Sequence, residues 1–164
     1  MKRYLQKRGI SEEYRKKFGL GYSPVSRTAL SDHLQKKGFT PTELLQAGLL
    51  SGKADNTYDR FFNRLMFPIL DTAGRPIAFG GRVMGEGEPK YLNSPDSELF
   101  NKRFQLFGMS IAKRTRRPYL IMVEGYMDVL SLHQAGYDNA VASLGTALTR
   151  EQANLMKRYT DQVL

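Results

Sequence analysis

Apolar positions change their spacing along the chain, and the first change comes near residue 58. Before it, apolar residues recur at helical spacing between short lysine-rich turns, which predicts small helices with their lysines outward. The segment Thr40-Pro41-Thr42-Glu43 has a capping threonine, a proline at the first helical position and a glutamate at the third. It predicts a helix that ends at Gly48. Weaker patterns predict two further helices, over residues 11–19 and 26–38.

From about residue 59 the pattern becomes short apolar runs rich in Phe, Ile and Val, separated by turn residues. Phe61–Phe62, Leu65–Leu70 and Pro76–Met84 are predicted strands, and Asp71–Gly74 is the turn between the last two. This stretch is typical of an antiparallel sheet. The pair Gly80-Gly81 inside the third run predicts either a β-bulge or the close approach of another group to the backbone.

The last stretch alternates strand and helix after a predicted helix over residues 109–116. A strand, a helix, a strand and a helix follow in turn, at Tyr119–Val123, Tyr126–Ala135, Ala140–Ser143 and Thr149–Tyr159. This order is the signature of a parallel sheet with right-handed crossovers. Val163-Leu164 enters a third parallel strand, so we expect a truncated α/β unit.

The predicted fold class is therefore α+β, with two parts. A small basic subdomain would occupy residues 1–117, helical over 1–58 and β-rich over 59–117. A truncated parallel βαβα unit would occupy residues 118–164.

Composition narrows the classes of protein. An apolar fraction of 41% and a charged fraction of 25% predict a folded, soluble chain. The longest apolar run, Tyr119–Val123, is strand-sized, and no signal-like segment follows the basic start, so we expect a cytoplasmic protein without a membrane partner. Cysteine is absent, which excludes disulfides, thiolate zinc sites and cysteine nucleophiles. His33 and His133 have no second ligand at metal spacing, so each is interpreted as a surface or packed side chain.

The net charge of +9 is unevenly distributed. Residues 1–118 hold 22 Lys and Arg against 11 Asp and Glu, whereas residues 119–164 hold 3 against 5. A basic front beside a slightly acidic end indicates a polyanion partner and a separate acidic site. Solubility alone could also explain the lysines.

Glu124 lies where the Tyr119–Val123 strand should end, and ligands of open α/β sheets bind beyond the carboxyl ends of strands. Gly125 allows a sharp turn into the next helix, and Asp128 falls in its first turn. Asp128 could bind a metal or simply complement the helix dipole. Carboxylates at such an edge suit Mg²⁺, which one or two protein carboxylates hold together with substrate phosphates. Two acids are too few for a complete two-metal nucleotidyl transfer site.

These residues resemble a known family. Glu124–Asp128 and Ala140–Thr146 resemble the opening of the TOPRIM domain, which topoisomerases and bacterial primases share. Arg60–Ile69, Gly80–Arg82 and Pro89–Pro95 resemble the basic N-terminal subdomain of DnaG-type replicative primases. The resemblance covers essentially the whole chain.

The resemblance implies an RNA polymerase that reads a single-stranded DNA template and makes short RNA primers from ribonucleoside triphosphates. It implies that Glu124 is catalytic and binds metal and that Asp128 belongs to the metal site. It also implies a groove for nucleic acid and nucleotides, formed by Arg64, Arg82, Lys90 and Lys102, with Tyr91 and Asn93 beside them. From the residues alone, the basic side chains could equally lie on a solvated surface, and Tyr91 could stack on a base or pack under its loop.

The resemblance further implies Mg²⁺ or Mn²⁺ as cofactor, and zinc only in a cysteine-bearing N-terminal module that this sequence does not contain. A replicative helicase would bind a C-terminal domain that is also not in the sequence. The family's Asp-x-Asp metal pair is expected just past Leu164, so we expect these residues alone to be inactive. Two alternatives stay open: a phage or plasmid primase or primase-helicase, and a non-catalytic TOPRIM module that binds single-stranded nucleic acid. The charge distribution disfavours a protein-interaction domain.

Overall fold

A computed structural model describes residues 1–53, 56–145 and 147–164. The helices are α1 Lys2–Lys7, α2 Glu12–Lys17, α3 Ala29–Gln35, α4 Pro41–Gln46, α5 Met109–Ala112, α6 Tyr126–Gln134 and α7 Arg150–Lys157. The strands are β1 Gly21–Ser23, β2 Leu50–Lys53, β3 Asn56–Asp59, β4 Arg64–Leu70, β5 Pro76–Val83, β6 Tyr91–Asn93, β7 Ile121–Val123 and β8 Ala140–Ala142. Thr146, the last residue of the second TOPRIM-like motif, lies outside the described residues.

Strands β1, β4, β5 and β6 form an antiparallel sheet in the order β1-β4-β5-β6, and β2 pairs with β3 in a separate hairpin. Along β4 the side chains of Leu65, Phe67 and Ile69 are fully buried, which is the alternation expected of a strand with one face on a core. The predicted strand Phe61–Phe62 is wrong. These residues link β3 to β4, and Asn63 interrupts the extended chain because its φ of 48° is left-handed.

The glycine pair in β5 sits in an unbroken ladder, with Gly80 opposite Phe67 and Gly81 opposite Met66. The register shift lies elsewhere, at Ile69/Leu70, so the predicted bulge at the glycines is wrong. The alternative prediction of close approach is confirmed, because a Cβ on Gly80 would lie 2.3 Å from the Tyr126 hydroxyl.

Strands β7 and β8 are parallel, and a parallel bridge between Leu120 and Val163 begins a third strand on the other side of β7. Helix α6 packs on one face of this sheet, where Val129 and Leu130 share a cluster with Ala142. Helix α7 packs on the opposite face, where Met156 meets Val141. The predicted parallel sheet and the entry into a third strand are confirmed.

One apolar core crosses the predicted boundary between the two parts. Leu5, Phe67 and Phe107 from the first part share a buried cluster with Val129 and Leu130 from the second. The α+β class is confirmed, whereas a division at residue 117 stays a prediction. No helix in the described ranges combines the length and the apolar character that crossing a bilayer requires.

Candidate nucleic-acid interface and metal site

A groove of about 400 Å³ runs between the antiparallel and parallel sheets. It brings together most of the residues predicted for the site. The residues on its basic side are Tyr4, Arg8, Arg82, Lys90, Tyr91 and Asn93. The residues at the ends of the parallel strands and the start of α6 are Glu124, Gly125, Tyr126, Met127, Asp128, Ser143 and Gly145. We call this the central groove.

The acidic side of the central groove is built by the end of β7. Glu124 follows β7 directly and is exposed. Gly125 is the N-cap of α6, and its backbone N–H donates to Oδ2 of Asp128 at 3.1 Å. Asp128 is also exposed and therefore caps the helix whether or not it binds a metal. The alternative of a helix-stabilising role for Asp128 is thus real, and its metal role stays a prediction.

The carboxylates of Glu124 and Asp128 suit a hard divalent cation in type, since oxygen ligands are what Mg²⁺ and Mn²⁺ prefer. Within residues 1–53, 56–145 and 147–164, no group of three or more His, Cys, Asp or Glu side chains could hold a metal ion. The donor set therefore fits a cation that is shared with substrate phosphates, and it does not form a protein cage.

The basic side of the central groove is ordered by aromatic rings. The guanidinium carbon of Arg82 lies 4.5 Å from the ring centroid of Tyr4 and 5.8 Å from that of Tyr91. Such cation–π contacts hold an arginine in one orientation while leaving its N–H donors available. Burial raises the pKa of Tyr91, which therefore remains a neutral phenol at physiological pH. Lys90 enters the groove immediately before β6.

Tyr126 joins the two sides of the groove. Its ring is stacked on Phe67 and meets Phe107 edge-on, in both cases with a centroid separation of 4.7 Å. Its hydroxyl donates to Oδ1 of Asn93 at 2.6 Å, and Nδ2 of Asn93 donates to the carbonyl of Leu144 at 2.8 Å. Burial raises the pKa of Tyr126 well above its ordinary value, which keeps the hydroxyl a donor. Asn93 lines the groove, yet its amide bonds to protein, so its predicted nucleic-acid contact stays a prediction.

Two of the predicted basic contacts lie outside the central groove. Arg64 is only 5% exposed, and its Nη1 donates to the carbonyls of Gly81 and Pro89. The predicted direct contact of Arg64 with nucleic acid is not supported, because its guanidinium is buried against the backbone that leads to Lys90. Lys102 is not among the groove residues, and its carbonyl accepts a hydrogen bond from Gln152.

The sequence interpretation missed Tyr4, in α1, and Arg8, the C-cap residue of α1, which both line the groove. The guanidinium carbon of Arg8 lies 5.5 Å from the Tyr4 ring. Their separation of four residues in a basic helix was the available signal, since such residues share one helix face. Leu5, which is fully buried, anchors the helix beside them.

Family models match nearly all of the chain. The model described as "DNA primase catalytic core, N-terminal domain" matches residues 1–113, and the one described as "Toprim-like" matches residues 121–164. Among curated proteins, the chain is 48% identical to the DNA primase of Clostridium acetobutylicum over 99% of its own length. It is 47% identical to the DNA primase of Deinococcus radiodurans over 97% of its length. In both comparisons the chain spans 28% of the relative's length.

Solved structures give the same result. The catalytic core of the E. coli primase matches with a TM-score of 0.90 at 43% identity, covering 99% of this chain and 53% of that one. A DnaG primase catalytic domain bound to single-stranded DNA matches with a TM-score of 0.90 at 44% identity, covering 99% of this chain and 51% of that one. The RNA polymerase domain of Mycobacterium tuberculosis DnaG, in complex with a double-stranded DNA oligomer with a 6-nucleotide overhang, matches with a TM-score of 0.91 at 38% identity, covering 96% of this chain and 51% of that one. Toprim and primase proteins generally use a divalent metal. The chain belongs to the DnaG-type family of bacterial DNA primases and corresponds to the first part of their catalytic core.

Proposed function

We propose that these residues form part of a DNA primase, which synthesises short RNA primers on single-stranded DNA by metal-dependent nucleotidyl transfer. The observation that carries the proposal is the central groove, where Arg8, Arg82 and Lys90 share one cleft with Glu124 and Asp128. A cleft that is basic on one side and acidic on the other suits a polyanion that reacts beside a divalent cation. Family membership and the DNA-bound structures of relatives support the same function.

The basic side would hold the template strand, the primer and the incoming ribonucleoside triphosphates. Arginine can grip a phosphate through two N–H groups, whereas lysine acts as a point charge. Arg82 and Arg8 would therefore fix phosphate orientation, and Lys90 would contribute mainly charge. Tyr91, which is 39% exposed, offers a ring face on which a base can stack beside these side chains.

Glu124 would be the catalytic carboxylate in this half of the site, and Asp128 would support the same metal position. When bound there, Mg²⁺ or Mn²⁺ would lower the pKa of the attacking primer hydroxyl and neutralise charge on the departing pyrophosphate. The exposed position of Glu124 at the end of β7 lets its carboxylate reach a cation that substrate phosphates also hold. Zinc is not expected on these residues, because the chain has no cysteine.

Two further proposals rest on the family. Primer synthesis would take place at the replication fork in the bacterial cytoplasm, and a replicative helicase would bind the primase through a region outside this sequence.

Arg64 would act inside the protein, by holding the chain between Gly81 and Pro89 so that Lys90 faces the groove. We propose no direct template contact for Lys102 from its position.

A second candidate is a non-catalytic module that binds single-stranded nucleic acid through the same groove. The observation that favours it is the small acid set: the described ranges hold no cluster of three metal-binding side chains. The two candidates differ at Glu124. A catalytic acid is essential for synthesis, whereas a binding module would bind as well or better after one negative charge is removed.

The test is a chimera in which these 164 residues replace the matching segment of the Clostridium acetobutylicum primase. Primer synthesis and single-stranded DNA binding are measured for the chimera, for Glu124→Gln and for the exposed control Glu13→Gln. We expect Glu124→Gln to lose at least about 100-fold in kcat, as when a catalytic electrostatic group is removed, with DNA affinity retained. The control should keep full synthesis.

Undiminished synthesis by the Glu124→Gln chimera would remove Glu124 from the catalytic site and favour the binding module. The 164-residue chain by itself should bind single-stranded DNA weakly and make no primers, because its described residues supply only two acids to the groove. Efficient synthesis by that chain would contradict the expectation that the family's Asp-x-Asp pair is also required.

A further inference from the structure

Asn93 links the antiparallel sheet to the segments that follow both parallel strands. It is the last residue of β6 and is half-buried. Its Oδ1 accepts from the hydroxyl of Tyr126 at 2.6 Å, and its Nδ2 donates to the carbonyl of Leu144 at 2.8 Å. Its own carbonyl accepts from Nη2 and Nε of Arg60, at 2.9 and 3.2 Å. Hydrogen bonds therefore engage this residue through both side-chain heteroatoms and its backbone carbonyl.

The two partners of the amide mark the ends of the two parallel strands. Tyr126 is the first residue of α6 and comes two residues after Glu124 at the end of β7. Leu144 comes two residues after Ala142 at the end of β8. The side chain of Asn93, on the antiparallel sheet, thus fixes the segments that follow β7 and β8. These segments build the acidic side of the central groove.

The chemistry of the amide allows only one orientation. The carbonyl of Leu144 can only accept, so it must face Nδ2, and Oδ1 is then left to accept from Tyr126. Aspartate cannot replace it, because a carboxylate would meet the Leu144 carbonyl with an acceptor. An alanine would leave both partners without their bond.

Apolar packing and the amide bonds can be separated. Phe67 and Phe107 pack against the ring of Tyr126, and Gly80, which has no Cβ, leaves room for that ring. None of these contacts needs the hydroxyl. Removing only the hydroxyl therefore leaves the packing of α6 in place. What it removes is the directional bond that fixes where the start of α6 stands against β6.

We propose that Asn93 is a positioning residue, whose amide holds the end of β7 and the loop after β8 in register with β6 and so sets Glu124 opposite Lys90. It acts through Tyr126 and Leu144. This inference rests on the proposed primase function for its effect on synthesis. Its effect on the structure of the groove does not depend on that function.

Three variants and one control test the proposal. The variants are Tyr126→Phe, Asn93→Ala and their double mutant. The control is Tyr22→Phe, because the Tyr22 hydroxyl also donates to an asparagine, Oδ1 of Asn63, at 2.9 Å and away from the groove. In the chimera, kcat and KM for primer synthesis are measured. In the 164-residue chain, affinity for a fluorescent oligothymidylate and amide hydrogen exchange over residues 124–127 and 143–145 are measured.

We expect Tyr126→Phe and Asn93→Ala each to lower kcat about tenfold and to change oligothymidylate affinity less than about twofold. A tenfold loss in kcat corresponds to the full contribution of one hydrogen bond. The double mutant should be no worse than the more impaired single variant, because both remove the same bond. Amide exchange should accelerate at 124–127 in all three variants and at 143–145 in the two that lack the Asn93 amide, and it should stay unchanged in Tyr22→Phe.

Other results overturn the proposal. Weaker oligothymidylate binding in Asn93→Ala with normal binding and normal kcat in Tyr126→Phe would make Asn93 a direct nucleic-acid contact. Fully additive losses would mean that the two residues act independently. If the unmodified chimera makes no primers, the proposed function fails, and exchange in the 164-residue chain then decides the inference alone: acceleration supports it, and unchanged exchange rejects it.

Discussion

The two sheets that border the central groove are held together in different ways. The antiparallel sheet has a long ladder of its own, with β4 and β5 paired from Arg64 opposite Val83 to Leu70 opposite Pro76. The parallel sheet has strands of only three residues, β7 and β8, and a bridge to Val163. Strands this short provide few hydrogen bonds and are marginal without outside packing.

Besides α6 and α7, residues of the first part of the chain supply packing for the parallel sheet. Phe107 bridges to Ala142 in an antiparallel pair, and Phe67 stacks on Tyr126 at the start of α6. Gly80 lets that ring lie directly against β5. The acidic side of the groove therefore depends on the basic side for its position. Contacts between the sheets should therefore matter more for the site than contacts within either sheet.

The most severe way to break this dependence is Gly80→Ala. The new Cβ would lie 2.3 Å from the Tyr126 hydroxyl and 2.4 Å from its ring, so the ring has to move. We expect a loss of about 1–3 kcal/mol in the free energy of unfolding, measured by urea denaturation, as for other overpacked sites. Gly21→Ala is the matched control, because its Cβ would lie at an ordinary 3.8 Å from Met66. Equal stability of the two variants would contradict the close contact between the sheets.

Lowering the pH should have a smaller effect on the free energy of unfolding, and this effect should arise beside the parallel sheet, at His133. His133 on α6 is buried, its ring lies edge-on to Phe18, and its Nε2 hydrogen-bonds to the carbonyl of Ala140. Burial lowers the pKa of His133 below its ordinary 6.5. The folded state therefore binds fewer protons than the unfolded state, and the free energy of unfolding falls as the pH drops from 6.5 through the folded-state pKa.

The measurement is urea denaturation between pH 5 and pH 8. His133→Gln should flatten the decline below pH 6.5, although the variant is less stable overall. His33→Gln should keep the decline, since His33 is exposed on α3. A decline that persists unchanged in His133→Gln would assign the pH dependence to other groups.

Features determined by neighbouring residues could be predicted from the sequence. The capping box at Thr40 and Glu43 forms as expected, because both hydrogen bonds lie within one turn. The position of Glu124 also followed from local order, since it comes directly after a buried-type strand. Strands β1 and β6 were not predicted, because each has only three residues and so little alternation to read, and β1 in addition pairs with β4, which lies far along the chain.

The positions of the basic side chains were still harder to predict from the sequence. Arg64 and Arg82 lie on adjacent strands, yet one is buried against carbonyls and the other lies in the groove. Which face an arginine takes depends on the register of β4 against β5 and on the path of the loop that ends at Pro89. Tyr4 and Arg8 reach the groove only because tertiary packing brings α1 there. Local spacing can place Tyr4 and Arg8 on one face of a helix, but it cannot show that this face borders the groove.

The salt dependence of single-stranded DNA binding is the direct test of whether the central groove is the nucleic-acid interface. The logarithm of the affinity of the 164-residue chain for an oligothymidylate is measured against the logarithm of salt concentration for Arg82→Ala, Lys90→Ala and Arg116→Ala. Arg116 is exposed outside the groove and provides the same loss of charge. We predict weaker binding and a slope reduced by about one for Arg82→Ala and Lys90→Ala, because each removes one phosphate contact, with little change for Arg116→Ala. Equal slopes in all three variants would contradict the assignment of the central groove as the nucleic-acid interface.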